Sequence, residues 1–140
     1  MMNREQIKAI IPHREPFLLI DEIIEFKAST YAVGKLFVDP EFDFFRGHFP
    51  QKKVMPGVLI IESLAQVGAV LLLSDERYKG KIAYFTGIKH AKMRRQVIPE
   101  DTLTLRVEIT RMKAGFGIGQ AEAYVGDELA VSCEISFAAQ

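Results

Sequence analysis

A chain of 140 residues, 49% of them hydrophobic, suits one domain with a real core. Lys plus Arg number 18 and Asp plus Glu number 18, so no net charge draws the protein toward nucleic acid or a membrane, although a local basic patch remains open. The single cysteine, Cys133, excludes an internal disulfide and fits a reducing cytosolic compartment.

The opening segment Met1-Met2-Asn3-Arg4-Glu5-Gln6 has no apolar signal core, so a cytoplasmic protein is expected. Residues 4 to 11 read as a short helix ended by Pro12. Phe17 to Phe26 is rich in Ile, Leu and Phe and reads as a strand. Thr30 to Val38 reads as a second strand, broken by Asp39-Pro40. An aromatic loop follows, with Phe42, Phe44, Phe45 and Phe49. Met55-Pro56-Gly57 then opens the longest apolar run. Proline disfavours helix at the residue before it and suits a helix start, so a helix is expected from near Pro56 to about Asp75. The run Val58 to Leu73 is shorter than the ~20 residues a membrane span needs, and it carries Glu62 and Gln66. It reads as a buried helix.

Ile82 to Met93 reads as a strand with an irregular pattern. From Leu103 to Ile109 apolar residues alternate strictly with Thr, Arg and Glu. Ala121, Ala123 and Val125 continue the alternation, as do Leu129, Val131, Cys133, Ile135 and Phe137, which places Cys133 in the core. Gly115-Phe116-Gly117 and Gly126-Asp127 read as hairpin turns. The order is helix, two strands, one long helix, four strands. Strands with one wet face point to an antiparallel sheet. The long helix is apolar around nearly its whole circumference, so it must be covered on most sides. A curved sheet wrapping it, with a partner subunit over the remainder, meets that need. The architecture is α+β, the hot-dog fold, with residues 1–140 as one domain.

Glu62 is the strongest anomaly, a carboxylate inside Val58-Leu59-Ile60-Ile61-Glu62-Ser63-Leu64-Ala65. Such a group costs several kcal/mol unless paired or protonated. Those surroundings suit an acid that donates a proton near neutral pH. Gln66, one turn later, stands where it can orient it. Glu62 could equally surface at a helix edge or meet a cation. His48 lies in Arg46-Gly47-His48-Phe49-Pro50, a tight loop, and histidine takes a proton near neutral pH. A loop histidine is more often structural or exposed. His13 has a weaker case, and His90, near Lys89 and Lys92, reads as exposed. Gly57 at a helix start leaves an N–H free at the positive end of the dipole, where a carbonyl oxygen gaining negative charge would be held. Gly57 also eases the turn after proline. The three histidines are far apart and no Cys cluster exists, so no metal site is expected. Lys89, Lys92, Arg94 and Arg95 form a basic cluster that suits an acidic partner or simply guards a strand edge.

Ile11-Pro12-His13-Arg14-Glu15-Pro16-Phe17-Leu18-Leu19-Ile20-Asp21 resembles the opening of the FabZ-type dehydratases of type II fatty-acid synthesis. Gly47-His48-Phe49-Pro50, with Val54-Met55-Pro56-Gly57-Val58-Leu59 and Glu62-Ser63-Leu64-Ala65-Gln66, resembles that family's central motif. The resemblance runs from Ile10 to Phe137. It implies a hot-dog dimer, commonly assembled into a hexamer as a trimer of dimers, with sites at the dimer interface. His48 of one subunit and Glu62 of the other would form the catalytic pair, and the Gly57 N–H would meet the thioester carbonyl. Tyr84 would gate the acyl tunnel. Lys92, Arg94 and Arg95 would receive the acidic acyl carrier protein.

The implied reaction is dehydration of a (3R)-3-hydroxyacyl thioester to the trans-2-enoyl thioester. No cofactor is needed beyond the carrier's phosphopantetheine arm, and no nucleic acid or membrane partner is implied. The related bifunctional dehydratase/isomerases typically carry aspartate where this chain has Glu62, which argues for dehydration alone. The competing readings are isomerisation to a cis-3 product, a hot-dog thioesterase and a non-catalytic acyl-binding scaffold.

Overall fold

The computed structural model describes residues 1–140. Its longest helix, α2, spans Gly57–Leu73. Pro56 caps it from an extended conformation, and its carbonyl accepts from the N–H groups of Leu59 and Ile60. Ile60, Ile61, Ser63, Leu64 and every residue from Gln66 to Leu73 are buried. The side left open runs through Val58, Glu62 and Ala65, spaced to share one helix face. Val58 is 69% exposed although it is apolar.

Six strands form one sheet: β1 (Glu22–Lys27), β2 (Tyr31–Phe37), β3 (Ala83–Met93), β4 (Thr102–Lys113), β5 (Phe116–Val125) and β6 (Glu128–Ala139). Their order is β1-β2-β4-β5-β6-β3, and each neighbouring pair is antiparallel. The helix α2 leaves after β2 and delivers the chain to β3 on the opposite edge, touching β2 through β6 on the way. Leu103, Leu105 and Val107 of β4 and Val131, Cys133 and Ile135 of β6 are fully buried, as the alternation required. Between these strands β5 offers only Ala121, Ala123 and glycines on its buried face. Each fully buried Leu, Ile or Val contributes about 1.5–3 kcal/mol.

Three expectations move. The expected strand over Phe17–Phe26 is a strand only from Glu22. Leu18, Leu19 and Ile20 are buried without belonging to the sheet. Their backbone is held by side chains instead. Arg4 donates to the carbonyls of Leu18 and Ile20, Ser63 Oγ donates to Leu19, and Gln66 bonds both Phe17 and Leu19. Arg4 and Lys8 also grip Glu15, whose carboxyl they hold down at about 2. An apolar run therefore reached the core without a ladder. The first helix, α1, covers only Arg4–Lys8, closed by a capping box between Asn3 and Gln6.

The third shift concerns a turn. The β4–β5 turn is Ala114-Gly115, with φ of 51° and 84°, and Phe116 and Gly117 already belong to β5. Gly117 is glycine for another reason: a Cβ there would lie 2.5 Å from the Phe137 ring. Gly126-Asp127 forms the second turn as expected, with Gly126 at φ 59°. The irregular pattern of β3 reflects two bulges, one of them around His90, which is exposed. Cys133 is 1% exposed, and burial pushes its thiol up to about 11.

Candidate active site

His48 follows the 3-10 turn Asp43–Arg46, whose Phe45 is buried against the core. Its N–H donates to the Phe44 carbonyl at 3.0 Å. Val54 then locks it twice. The Val54 N–H donates to the His48 carbonyl at 3.1 Å, and the Val54 carbonyl lies 2.7 Å from His48 Nδ1. A carbonyl can only accept, so Nδ1 carries the proton and Nε2 keeps its lone pair. The ring stacks on Phe49 at 4.1 Å between centroids. This is a histidine with a fixed ring and one basic nitrogen free.

Gly57 stands at the first position of α2. The N–H groups of Gly57 and Val58 have no acceptor in the chain, as the first turn of a helix dictates. A Cβ on Gly57 would lie 2.7 Å from Met93 Cγ, so only glycine fits without moving that side chain. His48, Val54, Gly57, Met93, Arg94 and Arg95 line one depression. The structure therefore brings the expected base and the expected oxyanion donor together.

Glu62 lies elsewhere. Its side chain is 18% exposed and lines a second depression with His13, Phe17, Ala65, Ala69 and Tyr84. Gln66 Nε2 donates to Glu62 Oε2 at 3.0 Å. The same amide donates to the Phe17 carbonyl at 2.8 Å, and its Oε1 accepts from the Leu19 N–H at 2.7 Å. Gln66 is fully buried with both ends engaged, so it is a rigid holder for the carboxylate. Tyr84, on the edge strand β3, is 49% exposed and sits with Glu62 rather than with His48. Within one chain, His48 and Glu62 line different depressions.

Of the basic residues, Lys92 and Arg94 are exposed and carry no ion pair. Arg95 is half-buried and paired with Asp101 at 4.0 Å and Glu128 at 3.6 Å. His13, which had the weaker case on sequence, stands 3.8 Å from Glu62 Oε2 through Nε2. No local pattern signals this approach, because the two residues are 49 positions apart and a folded loop joins them.

Residues 11–134 match the FabA-like domain family. The 3-hydroxyacyl-[acyl-carrier-protein] dehydratase FabZ of Staphylococcus aureus, in strains JH9 and Newman alike, is 55% identical over 140 residues, which is 100% of this chain and 96% of that protein. Among solved structures, the dehydratase heterocomplex ApeI:P from Xenorhabdus doucetiae superposes with a TM-score of 0.81 at 14% identity, covering 96% of this chain and 90% of that one. A mutant thioesterase from Pseudomonas aeruginosa gives 0.71 at 14% identity, over 96% and 91% of the two chains. Those two likenesses bear on the fold alone, since one architecture hosts several reactions. The full-length relatives decide between them: this chain belongs to the FabA-like family and, within it, to the FabZ dehydratases.

Proposed function

We propose that the chain removes water from a 3-hydroxyacyl thioester on acyl carrier protein, in fatty-acid biosynthesis, and that each active site is shared by two copies. His48 and Gly57 come from one copy and Glu62 from the other. The carrying observation is the pinned His48 ring, with a free Nε2 in the same depression as Gly57, whose N–H at the start of α2 is unpaired.

The steps follow from the donors and acceptors. His48 Nε2 takes the proton next to the thioester carbonyl. The N–H groups of Gly57 and Val58 and the helix dipole hold the carbonyl oxygen as negative charge grows on it. Glu62 gives its proton to the C3 hydroxyl, which leaves as water, and a trans-2 double bond forms. The proton on His48 returns to Glu62 before the next turnover, so the net loss is one water. No cofactor is required beyond the carrier's phosphopantetheine arm.

Two surfaces support a second copy. The outer edge of β3 is unpaired in the chain and presents Tyr84, Phe85, Ile88 and Met93 as exposed apolar residues. The open stripe of α2 lies beside them at the Glu62 depression. A hexamer built as a trimer of dimers belongs to the same proposal, as does a cytoplasmic setting. Lys92 and Arg94 suit the acidic carrier, with Arg95 held partly in reserve by its two carboxylates.

Incubation with 3-hydroxyacyl carrier protein, with products resolved by mass and double-bond position, tests the reading. A trans-2-enoyl product is expected. Free thiol would mark a thioesterase, a cis-3 product an isomerase, and binding without turnover a scaffold.

A further inference from the structure

We propose that His13 is a positioning residue for Glu62, holding the Oε2 end of the carboxyl group so that Oε1 is the oxygen that carries and releases the proton. The inference rests on Glu62 being the acid. Gln66 Nε2 can only donate, so Oε2 must accept. Any proton on the carboxyl group therefore sits on Oε1, which has no hydrogen-bond partner in the chain. His13 Nε2 faces the same oxygen, Oε2, at 3.8 Å.

The tautomer follows from electrostatics. His13 Nδ1 is buried with no partner. A proton there would bury an unsatisfied donor and aim the Nε2 lone pair at a carboxylate oxygen. A proton on Nε2 aims an N–H dipole at Oε2 instead, so that form is selected. At 3.8 Å the contact is too long for a direct hydrogen bond. Its attraction is charge–dipole, and it strengthens as Glu62 loses its proton, when the help is needed.

The neutrality of the imidazole matters. Burial lowers the His13 pKa, Glu62 opposes that shift, and neighbouring Arg14 adds to it. A full cation here would hold Glu62 ionised and remove the acid. A neutral ring stabilises the product carboxylate without taking the starting proton. The other groups facing the pair are Arg14 on the same loop and Tyr84 from β3; from α2 only Glu62 does so. The loop does not depend on Glu62 for its place. Arg14 clamps it by donating to the carbonyls of Lys8, Ile11 and His13.

The test uses the intact enzyme, 3-hydroxyacyl carrier protein, and the variants H13L, H13N and H13Q, each also placed on E62Q. A glutamine amide reaches the place of the imidazole Nε2, whereas an asparagine amide reaches that of Nδ1. In H13L and H13N, kcat should fall about tenfold with KM within about twofold, a loss of transition-state stabilisation alone. Without the His13 N–H dipole the negative carboxylate is less stabilised, so the alkaline limb of the rate profile should move to higher pH. H13Q should recover most of the rate and the position of the limb. On E62Q none of the three should cause further loss. Wild-type kcat and profile in H13L and H13N would overturn the inference. So would equal losses in H13N and H13Q with an unmoved limb, which mark a packing role, or full additional loss on E62Q. Wild-type turnover in E62Q alone would instead overturn the reading of Glu62 itself.

Discussion

The depressions around His48 and Glu62 are built by opposite means. His48 is fixed by backbone groups within six residues of it, through two contacts with Val54 and one with Phe44. Glu62 is fixed by side chains that reach across the fold: Gln66 ties it to Phe17 and Leu19, and His13 approaches from the same distant loop. The first half-site can lose its chemistry and keep its fold. The second is continuous with the core, so its chemistry and its stability are coupled.

His48→Ala should give the largest loss of activity, about 10²–10⁴-fold in kcat, because it deletes the base outright. Its thermal midpoint should stay near that of the parent, since the ring packs on Phe49 at the rim. A large drop in the midpoint would contradict the local character of that half-site. Gln66→Leu should act on both properties. It strands the Leu19 N–H in the interior, at about 1–3 kcal/mol for a buried group left unpaired, and releases the part-buried Phe17 carbonyl. Urea melts should show that loss, with a slower enzyme in the surviving fold. Unchanged stability would mean that the loop is held by Arg4 and Ser63 alone.

Arg94→Glu should have a smaller effect, confined to the carrier. KM for the carrier-bound substrate should rise about tenfold at low salt and less at high salt, while a pantetheine thioester is turned over as before. An equal rise for both substrates would place Arg94 at the thioester rather than at the carrier. The smallest effect concerns Cys133. With its thiol buried and pushed up to about 11, native protein at pH 7 to 8 should resist thiol reagents and label fully once unfolded.

The same contrast explains what the sequence disclosed. Strict alternation in Leu103–Ile109 named its buried residues because a sheet has period two. The apolar circumference of α2 foretold its burial, and its one charged residue marked Glu62. Gly47-His48-Phe49-Pro50 lies close to its own partners in the chain, so the loop was legible. Phe17–Ile20 was not, because composition cannot tell a strand from a segment tied down by Arg4, Ser63 and Gln66. His13 stayed hidden for the same reason: its partner is distant in sequence, and only the folded loop brings it near. Gly117 looked like a turn residue, yet the aromatic ring of Phe137 was the cause.

The most direct measurement mixes His48→Ala and Glu62→Gln subunits after each is shown to keep only a trace of parental turnover. A mixed symmetric dimer whose sites each span two copies regains one intact site of its two, and random mixing makes half the dimers mixed, so about one quarter of parental activity should return. Activity that stays at the sum of the two parents, while native mass spectrometry shows mixed dimers, would contradict a site shared between copies.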